Sequence, residues 1–283
     1  MSALVQRTVP PLRIDTRALR PDAAAGEGVL KLRLPLGRDE IEVGDLFTWR
    51  PAPAADTPTL EIEGDLSRFD HLGLGLAAGE LVLRGDVGHG VGLGQSGGRI
   101  VVHGNAKDLA GCSLRGGWLE IHGDVGDLAA SALPGDMDGM RGGTFVIHGR
   151  AGARLGDRMR RGTLVVHGDV GDLAASRMVA GTIALGGRCG AHLAWGMRRG
   201  SVVLASGALG IDTSARTEVS ARTETSCGPT FVPVRGNADT FWQLLARDLA
   251  RFGGAFASLA SRRISRMAGD LAVQGKGEII VPS

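Results

Sequence analysis

A phrase of nineteen residues recurs along the chain, and it limits the possible folds more than any other feature. Its plainest copy runs from Thr163-Leu-Val-Val-His-Gly168 to Arg177-Met178-Val-Ala-Gly181. Flanking copies run from Thr144-Phe-Val-Ile-His-Gly149 to Arg158-Met159-Arg-Arg-Gly162, and from Thr182-Ile-Ala-Leu-Gly-Gly187 to Gly196-Met197-Arg-Arg-Gly200. Aligning the residue that closes each apolar run gives Gly64, Gly85, Gly104, Gly123, Gly149, Gly168, Gly187 and Ser206. The intervals are 21, 19, 19, 26, 19, 19 and 19 residues. Fixed periods of this size indicate a solenoid. One strand per unit, without a hairpin turn, must stack parallel on its predecessor, and right-handed crossovers are strongly favoured.

The expected fold is mainly β: a single-stranded right-handed parallel β-helix of about seven or eight coils over residues 59–207. Residues 1–58 are Pro-punctuated and read as an irregular N-terminal arm or cap. Within them Val29–Leu34 alternates as a strand does, and Glu40–Phe47 reads as a strand or short linker. Residues 208–283 read as an extended segment followed by a small helical extension and a final strand, Gly277–Val281. Asn237 is placed to cap a helix whose apolar stripe is Phe241, Leu244, Leu245, Leu249 and Phe252. The closing glycines are expected at corners that need positive φ and where a Cβ would strike the coil below.

Alternation assigns the faces of each strand. Leu60, Leu81, Ile100, Leu119, Phe145, Leu164, Ile183 and Val202 point inward, as do the residues two further on. Met140, Met159, Met178 and Met197 form a third inward row with Leu114, as core filler rather than ligands. The residues between the inward pairs point outward, yet they include Val82, Val101, Val146, Val165 and Val203, relieved by Glu61 and Glu120. An exposed valine row marks an interface. His103, His122, His148 and His167 follow in the next outward slot and are expected to stack about 5 Å apart, as partner contacts. The row is not read as a metal site, because side-by-side rings do not converge as zinc ligands must, and no carboxylate is expected beside them.

A basic corner is the other constellation. Arg115, Arg141, Arg160 and Arg198 follow the inward Leu/Met row, with Arg161 and Arg199 next to them. Only Lys31, Lys107 and Lys276 of the 32 basic residues are lysines. Arginine forks spaced along a rod suit successive carboxylates, so these six residues form a candidate polyanion track; solvated corner charge or intersubunit ion pairing is the plainer reading. Asp65, Asp86, Asp124 and Asp169 share one slot and read as a charge ladder, not a catalytic pair. Gly73-Leu-Gly75 and Gly90-Val-Gly-Leu-Gly94 look like phosphate loops but do not join a strand to a helix. No catalytic set assembles. Net charge is +2, which gives no nucleic-acid footprint. Cys112, Cys189 and Cys227 share no metal or disulfide spacing. No run reaches the roughly 18 apolar residues of a membrane span, and no signal segment opens the chain, so a cytoplasmic protein is expected.

The run Gly143-Thr-Phe-Val-Ile-His-Gly149 through Gly156-Asp-Arg-Met159-Arg-Arg-Gly162 resembles the C-type subunit of formylmethanofuran dehydrogenase. It is similar also to the C-terminal β-helix of glutamate synthase. The resemblance covers residues 59–207. It implies a non-catalytic subunit that holds catalytic partner subunits together, with metals on those partners and no cofactor bound tightly by this chain. Two versions of such complexes exist in the family. One is an archaeal molybdenum or tungsten dehydrogenase; the other is a bacterial formyltransferase/hydrolase complex moving a formyl group between tetrahydromethanopterin and a methanofuran-type carrier and releasing formate. The arginine-rich composition favours the second. A domain-coupling role like that in glutamate synthase is the remaining alternative. Because the carriers bear glutamate tails, the resemblance makes the arginine corner a candidate contact for the tail.

Overall fold

The computed structural model describes residues 2–21, 26–51, 57–205, 230–234 and 238–282. The expected N-cap Asn237, the slot at Ser206 and most of the extended segment, including Cys227, lie outside them.

The fold is mainly β and is built on one thirteen-stranded, mostly parallel sheet. Seven strands recur at the sequence repeat, from Thr59–Glu63 through Glu80–Arg84, Arg99–Val102, Trp118–Ile121, Arg141–Ile147, Arg161–Val166 and Thr182–Leu185 to an eighth, Ser201–Leu204, and each pairs parallel with the next. The register keeps like slots together: Leu119 lies on Phe145, Leu164 on Ile183 and Val202 on Ile279. Both inward rows and the Leu114/Met row are buried in one core. Seven apolar residues, Leu66, Val87, Ala106, Val125, Ala151, Val170 and Cys189, add a second ladder of single parallel bridges.

Two devices complete the backbone pairing between units. The aspartate slot is one: Asp86 Oδ1 accepts from Asn105 N at 2.7 Å, Asn105 Oδ1 from Asp124 N at 2.8 Å, and Asp124 Oδ1 from Arg150 N at 2.7 Å. Each side chain thus satisfies an N–H of the following unit that would otherwise have no partner. The second is a path of alternate residues in the left-handed region. Leu173, Ala175 and Arg177 have φ of 60°, 58° and 53°. Their N–H groups go in turn to Ala191 O in the next unit, Leu155 O in the previous one, and Trp195 O in the next. The closing glycines are required mainly for space. Gly85 combines a φ of 145° with a site where a Cβ would overlap the Gly64 carbonyl, but Gly168 has no positive φ, and a Cβ there would lie 2.5 Å from Gly149 O.

The N-terminal stretch joins the same sheet. Ser2–Gln6 pairs parallel with Thr59–Glu63 and antiparallel with Phe47–Arg50. The alternating Val29–Leu34 is not one strand: Glu27–Lys31 is a 3-10 turn and Arg33–Leu36 is the strand. Val29 is drawn into the core with Val43 and Leu46, and burying it in the turn overrides the alternation. At the other end Gly277–Pro282 adds a parallel strand on Ser201–Leu204, and Ile264–Gly269 pairs antiparallel with it.

The helix Asp239–Ala250 lies on the outside of the sheet, followed by two short 3-10 turns, Gly254–Phe256 and Leu259–Ser261. Its buried face is Trp242, Ala246 and Leu249, with Leu245 and Phe252 packed at its edge; of the expected stripe, Phe241 and Leu244 face solvent at 47% and 64% exposure. Taking Trp242 at its centre puts the large ring inward and hydrogen-bonds its Nε1 to Arg262 O at 3.2 Å, which satisfies the indole donor.

The valine row is not exposed, contrary to expectation. Val82, Val101, Val146 and Val165 are all buried, the least of them 7% exposed. Val165, Ala184 and Val203 form a second core with Trp242, Ala246, Leu249, Phe256 and Leu259. The apolar outward row is covered there by the chain's own C-terminal segment. Towards the N-terminal end it lies between charged rows tied by Arg84–Glu61 and Arg99–Glu120 ion pairs.

Candidate functional site

The arginine corner follows directly from the inward Met row. Each unit turns at its buried Met, so the residue after it emerges on the outer edge. In three units that residue is Arg141, Arg160 or Arg198; in the fourth, Met178 is followed by Val179 and Ala180. The gap gives the corner an apolar floor. Arg141, Arg160, Arg161, Arg198 and Arg199 surround Val179 and Ala180 in a groove of about 600 Å³. Arg115 does not line it.

An adjoining cleft of about 420 Å³ shares Arg160 and Arg198 and adds Arg158, Arg177, Trp195 and Asp270. Met137, from the insert that lengthens the 26-residue interval, forms one wall, and Ala272 and Val273 from the C-terminal segment form another. Asp138 of the insert pairs with both Arg141, at 3.7 Å, and Arg160. Arg177 is held by the buried Asp157, which also accepts from Ser176 Oγ at 2.7 Å. Among the described residues Arg161, Arg198 and Arg199 have no carboxylate partner, so the groove keeps a net positive charge at these exposed forks. Such a surface can hold carboxylates by bidentate, charge-assisted bonds. Nothing in it converges as a nucleophile and base do.

The histidines stack as the repeat requires. Ring centroids of His103, His122, His148 and His167 are 5.0, 4.8 and 5.0 Å apart, with planes within 16° of parallel. The last ring is closed off by Phe256, edge-on at 5.2 Å, so His167 is an internal contact of the C-terminal segment. Burial, and secondarily the neighbouring His148, holds His167 below the ordinary imidazole range. Burial and then His148 do the same at His122.

The expectation that no carboxylate accompanies the row does not hold. Glu120, in the strand Trp118–Ile121, faces the same way as His122 just past its end, and its Oε1 lies 3.1 Å from His148 Nε2 and 3.9 Å from His122 Nε2. Its Oε2 accepts from Trp118 Nε1 at 2.9 Å and Arg99 at 2.8 Å. Burial would raise the Glu120 pKa, but these hydrogen bonds and charges carry it below the usual carboxylate value. Sequence spacing contained the signal, since residues 118, 120 and 122 of one strand must share its outer face. What it lacked was the direction of the Glu120 side chain.

Comparison with known proteins gives three findings. Residues 58–220, more than half of the chain, match the family model described as GXGXG motif. Two curated relatives share shorter stretches. The C-type subunit of the formyltransferase/hydrolase complex Fhc of Methylorubrum extorquens is 47% identical over 55 residues, 19% of this chain and 21% of its own length. The C-type subunit of the molybdenum-containing formylmethanofuran dehydrogenase 1 of Methanothermobacter thermautotrophicus is 34% identical over 81 residues, 28% of this chain and 20% of its own. The matched stretches thus span only about a fifth of these relatives, 21% and 20%. Similarity to a solved structure is far more extensive. A chain in the crystal structure of the formyltransferase/hydrolase complex FhcABCD from Methylorubrum extorquens, in complex with methylofuran, matches with a TM-score of 0.86 and 37% identity, covering 99% of both chains.

Proposed function

The chain belongs to the GXGXG motif family, and from that premise we propose that it is the C-type subunit of a formyltransferase/hydrolase complex of one-carbon metabolism. In this reading it works in the cytoplasm without an active site of its own. It holds the catalytic subunits together while a formyl group moves between tetrahydromethanopterin and a methanofuran-type carrier and leaves as formate. The observation that carries the reading is the end-to-end correspondence, 99% of both chains, with a chain of the solved hydrolase complex. The repeats are then coils of a right-handed parallel β-helix, about seven or eight in number, with the described residues of 1–58 capping one end and those of 230–282 covering the other end and one face. The second reading, a member of a molybdenum-containing dehydrogenase assembly, has in its favour a shared stretch of 81 residues at 34% identity.

The arginine groove is proposed as the contact for the carrier's polyglutamate tail. Arg161, Arg198 and Arg199 supply uncompensated forks, while Val179 and Ala180 leave room between them. The exposed Phe241 and Leu244 are available to partner subunits. Affinity purification of the tagged chain from its native source tests the assembly: formyltransferase and hydrolase subunits should co-purify, and a pterin-bearing dehydrogenase in their place would favour the second reading. Changing Arg160, Arg161, Arg198 and Arg199 together to Ala should strip the carrier from the assembled complex. Full retention of carrier would remove the arginines' role but not the scaffold's, whereas formyl-ester or amide hydrolysis by the isolated chain would overturn the scaffold.

A further inference from the structure

The scaffold role makes no use of the carboxylate set among the stacked histidines. Three donor atoms, one each from Glu120, His122 and His148, lie within 4.8 Å of one another. A zinc ion bound at about 2.0–2.2 Å by such ligands needs its donors roughly 3.4 Å apart. The two edges from Glu120 Oε1, at 3.1 and 3.9 Å, bracket that spacing. The His–His edge is the wide one. His122 and His148 are 43% and 36% exposed in their side chains, so their Nε2 edges are open to solvent, and closing that edge requires the two stacked rings, 4.8 Å apart at their centroids, to tilt towards each other.

The carboxylate is already oriented. Trp118 and Arg99 occupy Oε2 and leave Oε1 directed at the imidazoles, which is how outer partners fix a metal ligand. Arg99 is itself offset by Glu80 at 3.5 Å. The donor set, two imidazoles and a carboxylate with an open side towards solvent, suits zinc and its first-row neighbours rather than calcium or magnesium.

We propose that Glu120, His122 and His148 bind a divalent ion of the zinc class on the outer face of the sheet. The ion joins the strand Trp118–Ile121 to Arg141–Ile147, the two strands separated by the long 26-residue interval. It therefore fastens the repeat whose connection is longest, where loop closure is least favourable.

The test uses the full-length chain, stripped with chelator and titrated with Zn²⁺ by calorimetry, with Co²⁺ as a spectroscopic probe. One equivalent should bind, raise the thermal midpoint, and give cobalt bands without a thiolate charge-transfer feature. Glu120→Gln and His148→Ala should each weaken binding by at least about tenfold, and Trp118→Phe, which keeps an aromatic ring but removes the Nε1 donor, by about tenfold. His89→Ala, outside the set, should leave it unchanged. Absence of saturable binding, a cobalt–thiolate band, or unchanged affinity in Glu120→Gln and Trp118→Phe would overturn the proposal.

Discussion

Phe256→Ala tests whether the C-terminal segment is a separable cover. Phe256 is fully buried, packs among Val165, Ala184 and Val203, and meets His167 edge-on at 5.2 Å. Truncating a buried Phe costs about 3–5 kcal/mol, with the aromatic edge contact contributing about 0.5–1.5 kcal/mol. Nearly all of that loss falls on docking of the segment, because Phe256 belongs to the second core and not to the interior rows. Opening of the helix Asp239–Ala250 should therefore become more frequent by roughly two to three and a half orders of magnitude. Hydrogen exchange read by mass spectrometry measures this directly. Peptides spanning 239–262 should lose protection, while those from Arg141–Ile147 keep theirs, as expected for a local opening. Phe256→Leu should restore most of the difference. Unchanged exchange in the helix, or an equal loss in Arg141–Ile147, would refute the assignment.

Three further outcomes are expected. Gly168→Ala places a Cβ 2.5 Å from Gly149 O and 2.7 Å from its carbonyl carbon; because backbone must move, it should cost at least about 3 kcal/mol, and an unchanged urea midpoint would contradict it. His122 and His167 both have folded pKa values below the ordinary imidazole value of 6.5. The unfolded chain therefore takes up protons first as the pH falls, so stability should be fully present above about 6.5 and lost progressively below it. Denaturant melts of the chelator-stripped chain at pH 8 to 5 check this, and the double change His122→Gln and His167→Gln should flatten that part of the profile. Burial pushes the Cys112 thiol up to about 11, so iodoacetamide should spare it in the folded protein and modify it after unfolding; rapid native alkylation of Cys112 would argue against its burial.

Periodicity alone located the strands, the inward rows and the histidine stack, because all three depend only on which residues share a slot. The valine row shows where that logic stops. A slot pattern says that Val165 points outward but not what lies beyond it, and the covering residues Trp242 and Phe256 are far along the chain. The same limit hid Glu120: its slot was clear, whereas its rotamer depends on Trp118 two residues before it and on Arg99 reaching across from the neighbouring strand. Val29 failed for a different reason, since a single buried side chain outweighed local alternation. At the arginine corner the order of residues brought five of the six candidate arginines to the groove, leaving out Arg115. Only the fold could add Met137 and Val273 as walls of the adjoining cleft, and Asp138 as a partial neutraliser.

The left-handed residues of each unit set how such a chain can grow. Leu173 and Ala175 are in a conformation that costs an L-residue roughly 1–2 kcal/mol, and their N–H groups are satisfied only by the units before and after. A solitary unit is therefore uphill, and each one forms best against a finished neighbour. A surface that templates its own successor would equally template another molecule's. At both ends the parallel run gives way to antiparallel pairing: Phe47–Arg50 on Ser2–Gln6 at one, and Ile264–Gly269 on Gly277–Pro282 at the other, where the two-residue strand Val232–Pro233 forms the outer edge. The parallel lattice that builds the stack is interrupted at each end by a strand of opposite direction, and an edge two residues long that contains a proline offers little for another chain to pair with.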